Sequence, residues 1–277
     1  MERKLVRQGR DALTVTLPAK WLKKNGLKMG SNVYIEEKTQ ELSIKTAPNS
    51  AYREITVDVS GEERSMMWHT IISKYISGYD RIIVLHTAPS ITQQFTRYLI
   101  GMIIEDHGKE RTVLKSIIST PENNIDVIIR RAVHMFLRQS ELLLQLMKKQ
   151  AIFDDIKQQE ALLDSNIYYC MRYINKYRLQ EDSYKEFLLC STIEEAADII
   201  TLLAQHLKDV KTAMIIYEGI TQYDKYLFSS DFKKVYTALR NFKDRLSKKT
   251  FTDGLAHELA EVLYNNIGYL MEHAEKE

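Results

Sequence analysis

The sequence predicts an α+β chain of several domains, and three observations predict it. Residues 3–45 hold short alternating runs around one basic helical turn. Residues 52–120 alternate strand-like and helix-like segments. From Ile125 onward there is no proline, and apolar residues recur at steps of three and four. A length of 277 residues has room for two or three such domains.

In the first segment, RKLVRQ and LTVTL alternate like strands. PAKWLKKNG places Pro18 at the first helical position and stops at Gly26. NVYIEEK and ELSIK then read as a hairpin through Thr39 and Gln40. APNSAY combines Pro, Asn and Ser as a linker, so the first domain is set at 1–47.

The second domain, 52–120, reads β-α-β-α-β-β. REITVDV, YDRIIVLH, MIIEDHG and ERTVLKSII are the strands; EERSMMWHTIISKYISG and SITQQFTRYLIG are the helices. Its glycines stand singly at element ends, so it holds no glycine-rich phosphate loop. The third domain, 121–277, carries helical periodicity in VIIRRAVHMFLRQSELLLQLM and near 154–177, 184–208, 210–227, 230–248 and 252–275. Short connections between helices of that length predict an antiparallel bundle.

Composition narrows the function. A hydrophobic fraction of 44% and a charged fraction of 27% belong to an ordinary globular chain. No apolar run approaches the roughly 18 residues that cross a bilayer, so the protein is not expected to be a membrane protein. MERKLVRQGRD lacks the apolar core of a secretory signal, and Cys170 and Cys190 form no CxxC or His/Cys cluster. A cytoplasmic location follows as the expectation. The net charge of +2 is unevenly spread: residues 1–46 hold ten Lys/Arg against five Asp/Glu, which leaves −3 for the remainder. A basic excess at one end suits a nucleic-acid contact surface or simply a solvated terminus.

Carboxylates stand out in the bundle. Glu160 and Asp164 are four apart, at the head of a stripe continued by Ile167, Met171 and Ile174. Glu194 and Asp198 repeat the spacing on the next helix, near Leu202. Burying ionised carboxylates requires a cation, an arginine or a proton. Four hard oxygen ligands would suit iron, manganese, magnesium or calcium, while a solvated acidic face is the plain alternative. Tyr168, Tyr169, Tyr173 and Tyr177 have the spacing of bundle packing or of a base-stacking ladder. No nucleophile–base pair can be placed from spacing, and no enzymatic activity is expected.

RKLVRQGRDALTVTLPAKWLKKNGLKMGSNVYI resembles the SpoVT/AbrB swapped-hairpin DNA-binding domain. The carrying features are a basic first strand, a strand ending in Leu17-Pro18, a basic helical turn, and Gly26-Leu27 and Gly30 before the last hairpin. The resemblance implies that hairpins of two subunits interlock into one small β-barrel, making a homodimer that presents its basic face to double-stranded DNA. The candidate DNA-binding residues are Arg3, Lys4, Arg7, Arg10, Lys20, Lys23 and Lys24, with the arginines suited to specificity and the lysines to affinity.

Residues 53–118, through ISKYISGYDRIIVL and RYLIGMIIED, together with the helices of 125–208, resemble the archaeal PhoU-like phosphate uptake regulators. Glu160, Asp164, Arg172, Glu194 and Asp198 fall at motif positions of that family. The resemblance implies a divalent or trivalent metal, such as iron, manganese or magnesium, held by Glu160, Asp164, Glu194 and Asp198. The second half of the bundle departs from the pattern: FKKVYTALRNFKDR has no ExxxD, and GLAHELAEVLYNN keeps only Glu258 and Glu261, three apart. Together the two resemblances imply a DNA-binding transcriptional regulator of phosphate uptake and homeostasis. The alternative is a protein–protein adaptor acting on a phosphate transporter or sensor kinase, with the AbrB-like part used only for dimerisation.

Overall fold

The chain divides into two units, Met1–Ala51 and Tyr52–Glu277. The structure is a computed structural model and describes residues 3–9, 12–38, 41–45, 52–87, 94–118, 125–177, 183–228, 231–246 and 250–266. The expected linker APNSAY, apart from its Tyr52, and the hairpin turn at Thr39 and Gln40 lie outside the described residues.

The first unit consists of two antiparallel hairpins and one short helix. Strands β1 (Val6–Gln8) and β2 (Ala12–Thr14) pair with Arg7 opposite Leu13. Helix α1 spans Ala19–Lys24, and β3 (Tyr34–Lys38) pairs with β4 (Glu41–Lys45), Ile35 opposite Ile44. Pro18 is one position short of its expected place. With φ −63° and an extended ψ of 125° it stands at the N-cap, where its carbonyl accepts the first helical bond from Leu22 N at 3.0 Å. The helix stops at Gly26 as the sequence predicts: at φ +62° that residue is left-handed, and Leu27 N closes back on Leu22 O at 2.9 Å. None of the residues of this unit whose side chains are described is buried.

The second unit is mostly helical, with one four-stranded sheet. Its strands β5 (Glu54–Asp58), β6 (Arg81–Leu85), β7 (Met102–His107) and β8 (Arg111–Ser116) lie in the order β5-β6-β8-β7. β5 and β6 run parallel, joined through α2 (Arg64–Ile76), and the remaining pairs are antiparallel. Of the helix expected over SITQQFTRYLIG, the described part ends in a 3₁₀ turn at Thr96–Tyr98. Phe95 and Leu99 of that segment are both buried, so its apolar spacing was genuine.

Six long helices follow: α3 (Ile125–Met147), α4 (Phe153–Tyr177), α5 (Ser183–His206), α6 (Val210–Leu227), α7 (Phe232–Arg245) and α8 (Phe251–Asn265). Their starts are written in side chains. Asp209 caps α6, Asp231 caps α7, and Thr250 with Asp253 forms a capping box on α8. On α3 the buried stripe Ile125, Ile128, Ile129, Ala132, Val133 and Phe136 follows the helical period. Gly219 lets α6 meet α7 closely, since a Cβ there would stand 2.4 Å from the Phe242 ring. Cys170 and Cys190 are buried free thiols, as the absence of a disulfide motif leads one to expect. No described helix is long and apolar enough to cross a membrane.

One hydrophobic core runs without interruption from Val59 and Ile82 of the sheet layer to Leu259 and Leu263 of α8. A buried ion-pair group fastens α4 to the sheet. Asp80 accepts from Lys176 and from Arg53 N (3.1 Å), with Arg172 Nη2 at 4.0 Å. Arg172 also donates to Tyr75 O at 2.8 Å and stacks over the Tyr75 ring. Removing Asp80 would leave two buried cations without their anion. Asp80→Ala is therefore expected to cost about 3–5 kcal/mol, read by urea unfolding of the full chain. A loss of under about 1 kcal/mol would place the group among ordinary surface pairs.

Candidate functional site

The first candidate surface is the basic N-terminal unit. Arg3 and Lys4 precede β1, Arg7 lies within it, and Lys20, Lys23 and Lys24 lie on α1; all six are exposed. Arg10 lies outside the described residues. Lys23 and Lys24 occupy the last turn of α1, where the carbonyl end of the helix favours cations. The same unit exposes apolar surface: Leu5, Val6, Leu13, Tyr34, Ile35 and Leu42 are each 46% or more accessible.

The second candidate is the carboxylate group between α4 and α5. The two ExxxD spacings do converge. Glu160 hydrogen-bonds with both Asp198 and Thr201, and Asp164 feels the charges of Glu160, Glu194 and Asp198. Tyr168 closes one side by donating to Glu194 Oε1 at 3.1 Å. Asp198 is the most exposed of the four, and the other three are partly buried.

Burial and mutual repulsion push these acids upward. Asp164 rises to about 8, through burial first and then through its three carboxylate neighbours; its Oδ1 has no hydrogen-bond partner. Glu160 rises to about 7, chiefly by burial, and shares a proton with Asp198, itself raised by burial. Glu194 is raised by burial and by Asp198.

These donors are the hard oxygens that suit a divalent or trivalent cation, and their repulsion is what such a cation would relieve. Their present orientation is a different matter. Among the described residues no three His, Cys, Asp or Glu side chains converge on a common ion position. The chemistry of the donor set fits a metal; its geometry would require the side chains to turn inward.

Two residues that shape this site carry weak sequence signals. Gln139 of α3 is fully buried and donates to Ala197 O and Thr201 Oγ1, each at 3.0 Å. Its signal was a polar residue inside an otherwise apolar stripe. Thr201 lies three residues beyond Asp198 and extends that acidic face. Arg172, the third element of the expected motif, turns away from the carboxylates to Tyr75 and Asp80. Tyr168 is buried with its ring 6.0 Å from that of Trp68 on α2, and Tyr173 lies 5.3 Å from Tyr177. On α8, Glu261 is held by Lys243 at 2.5 Å and lies 3.8 Å from His257, while Glu258 is exposed.

The raised acids fix a sign for pH. Asp164 and Glu160 begin at 3.8 and 4.5 and rise to about 8 and about 7 in the folded chain. Between about pH 4 and pH 8 the folded state therefore holds more protons than the unfolded one, and stability falls as pH rises through that window. Asp164→Asn should stabilise the protein at pH 8 by on the order of 2 kcal/mol and flatten the decline measured by urea unfolding. A variant whose stability tracks the parent at every pH would contradict this assignment.

Comparison with protein-family models, with curated proteins and with solved structures returned no match.

Proposed function

We propose that this protein is a DNA-binding transcriptional regulator that dimerises through its N-terminal unit, the helical unit serving as sensor. One observation carries the reading: a basic unit of about forty-five residues has no buried described side chain while Leu5, Val6, Leu13, Tyr34, Ile35 and Leu42 lie open. Covering such side chains is worth about 1.5–3 kcal/mol each when complete, so a twin that interlocks with the hairpins would supply the missing interior. The resulting barrel would display two sets of Arg3, Lys4, Arg7, Arg10, Lys20, Lys23 and Lys24 to one duplex.

Phosphate homeostasis as the regulated process rests on the PhoU-like resemblance. Within it, Glu160, Asp164, Glu194 and Asp198 would hold a hard metal ion, whose charge would offset the burial and the mutual repulsion that raise these acids.

The purified dimer should bind a random duplex at low salt. Six to ten neutralised phosphates would give a log–log salt slope of about −5 to −9. Arg7→Ala with Arg10→Ala should lower affinity at least about tenfold and leave the sedimentation coefficient unchanged. Salt-insensitive or absent binding would favour the adaptor reading over the regulator.

A further inference from the structure

Two histidines meet one hydroxyl at the end of the sheet layer, where β6 stops. His86, the residue after β6, is 1% exposed, and its Nε2 lies 2.7 Å from Thr112 Oγ1 of β8. His107, the last residue of β7, brings its Nδ1 to 2.9 Å from the same oxygen. Thr112 is fully buried, and the two imidazole rings stand 6.4 Å apart. Three strands are thus joined through one side-chain oxygen, beside a backbone bond from His86 N to Glu110 O at 2.9 Å.

A hydroxyl has one hydrogen to give, so the bridge is complete only when one imidazole nitrogen donates to it and the other accepts from it. His86 Nδ1 is buried with no hydrogen-bond partner among the described residues. A bare nitrogen at that position avoids an orphaned N–H. The His86 hydrogen therefore belongs on Nε2, and the Thr112 hydrogen points to His107 Nδ1. A proton on His107 turns its Nδ1 from acceptor into donor. The Thr112 hydrogen must then turn toward His86 Nε2, which already carries one. Either His86 buries a hydrogen on the orphan Nδ1, or the bridge breaks.

The charged groups nearby favour that first proton on His107 and none on His86. On the β7–β8 hairpin, Asp106 pairs with Arg111 and also feels His107, which is exposed; Lys109 and Glu110 are exposed in the turn. Asp58, at the end of β5, accepts from Ser60 N, and the connection to α2 carries exposed Glu62, Glu63 and Arg64. Residues 88–93, next along the chain, contain no ionisable side chain. Burial first and the charge of His107 second hold His86 below the ordinary histidine range.

We propose that His86, Thr112 and His107 form a pH-sensitive latch that holds the tip of the β7–β8 hairpin against β6 near neutral pH and releases it in mild acid. A histidine held low in the folded chain contributes stability above its ordinary range, and the contribution is lost as pH falls. Asp164 acts with the opposite sign, since its protonation strengthens the fold as pH falls. The latch is therefore a local loss set against a global gain, and it is independent of DNA binding.

Hydrogen exchange of the full chain, in chelator and corrected for the intrinsic rate at each pH, tests it. The amides of His86 and Gly108, which donate to Glu110 O and Arg111 O, should lose protection at least about tenfold between about pH 7.5 and about pH 5, while bundle amides do not. His86→Gln, whose side-chain amide stands in for Nε2 without titrating, should keep both amides protected across that range. Unchanged protection in the parent overturns the proposal, as does an equal loss in the glutamine variant or in the bundle. The ring nitrogen shifts of His86 in the parent give a second readout that needs no variant. A neutral ring with its hydrogen on Nε2 at neutral pH supports the latch, and a hydrogen on Nδ1 overturns it.

Discussion

Apolar side chains left on the surface of a small unit set the main constraint on this protein. The hairpins β1–β2 and β3–β4 and the helix α1 have their backbone order without an interior: no described side chain among them is buried, and Leu13, Ile35 and Leu42 are more than half exposed. A unit of this size gains too little from its own contacts to offset the entropy of ordering it. Its cations add repulsion to that deficit. Both problems are relieved at once if a second copy covers the apolar side and a polyanion meets the basic one.

The helical unit has the reverse economy. Its core is continuous from sheet to last helix, and it can hold charged groups away from water. Asp80 with Lys176 joins two layers at a buried point, and Arg172 adds a hydrogen bond to the end of α2 through Tyr75 O. The carboxylates of α4 and α5 remain in conflict. Asp164 keeps an unpartnered oxygen and a raised proton affinity, and Tyr168, Thr201 and a shared proton offset only part of the repulsion. Protonation relieves such a site, which is why these acids are raised.

Much of the fold was legible because it depends on local rules. The α3 stripe and the stop at Gly26 are each decided within a few residues of chain. Of the helix read before β7, residues 90–93 lie outside the described part, which begins at Gln94. Phe95 and Leu99 have helical spacing, but Gly101 at φ +79° turns the chain into the strand. Spacing placed each carboxylate pair on one helix face; that the two faces meet depends on packing. The Asp80–Lys176 pair spans ninety-six residues, and neither partner has a local signature. Arg64 and Arg97 likewise come to line one cleft with Glu160 and Asp164 only through the approach of the sheet layer to α4.

The central claim is that the N-terminal hairpins obtain their core from a twin. Sedimentation velocity of the full chain over a dilution series, with hydrogen exchange across residues 6–45, tests it most directly. The account predicts a dimer whose N-terminal amides are protected, and a Leu13→Asp, Ile35→Asp variant that sediments as a monomer with those amides open and the bundle intact. A monomeric parent chain with the same protected amides would contradict it.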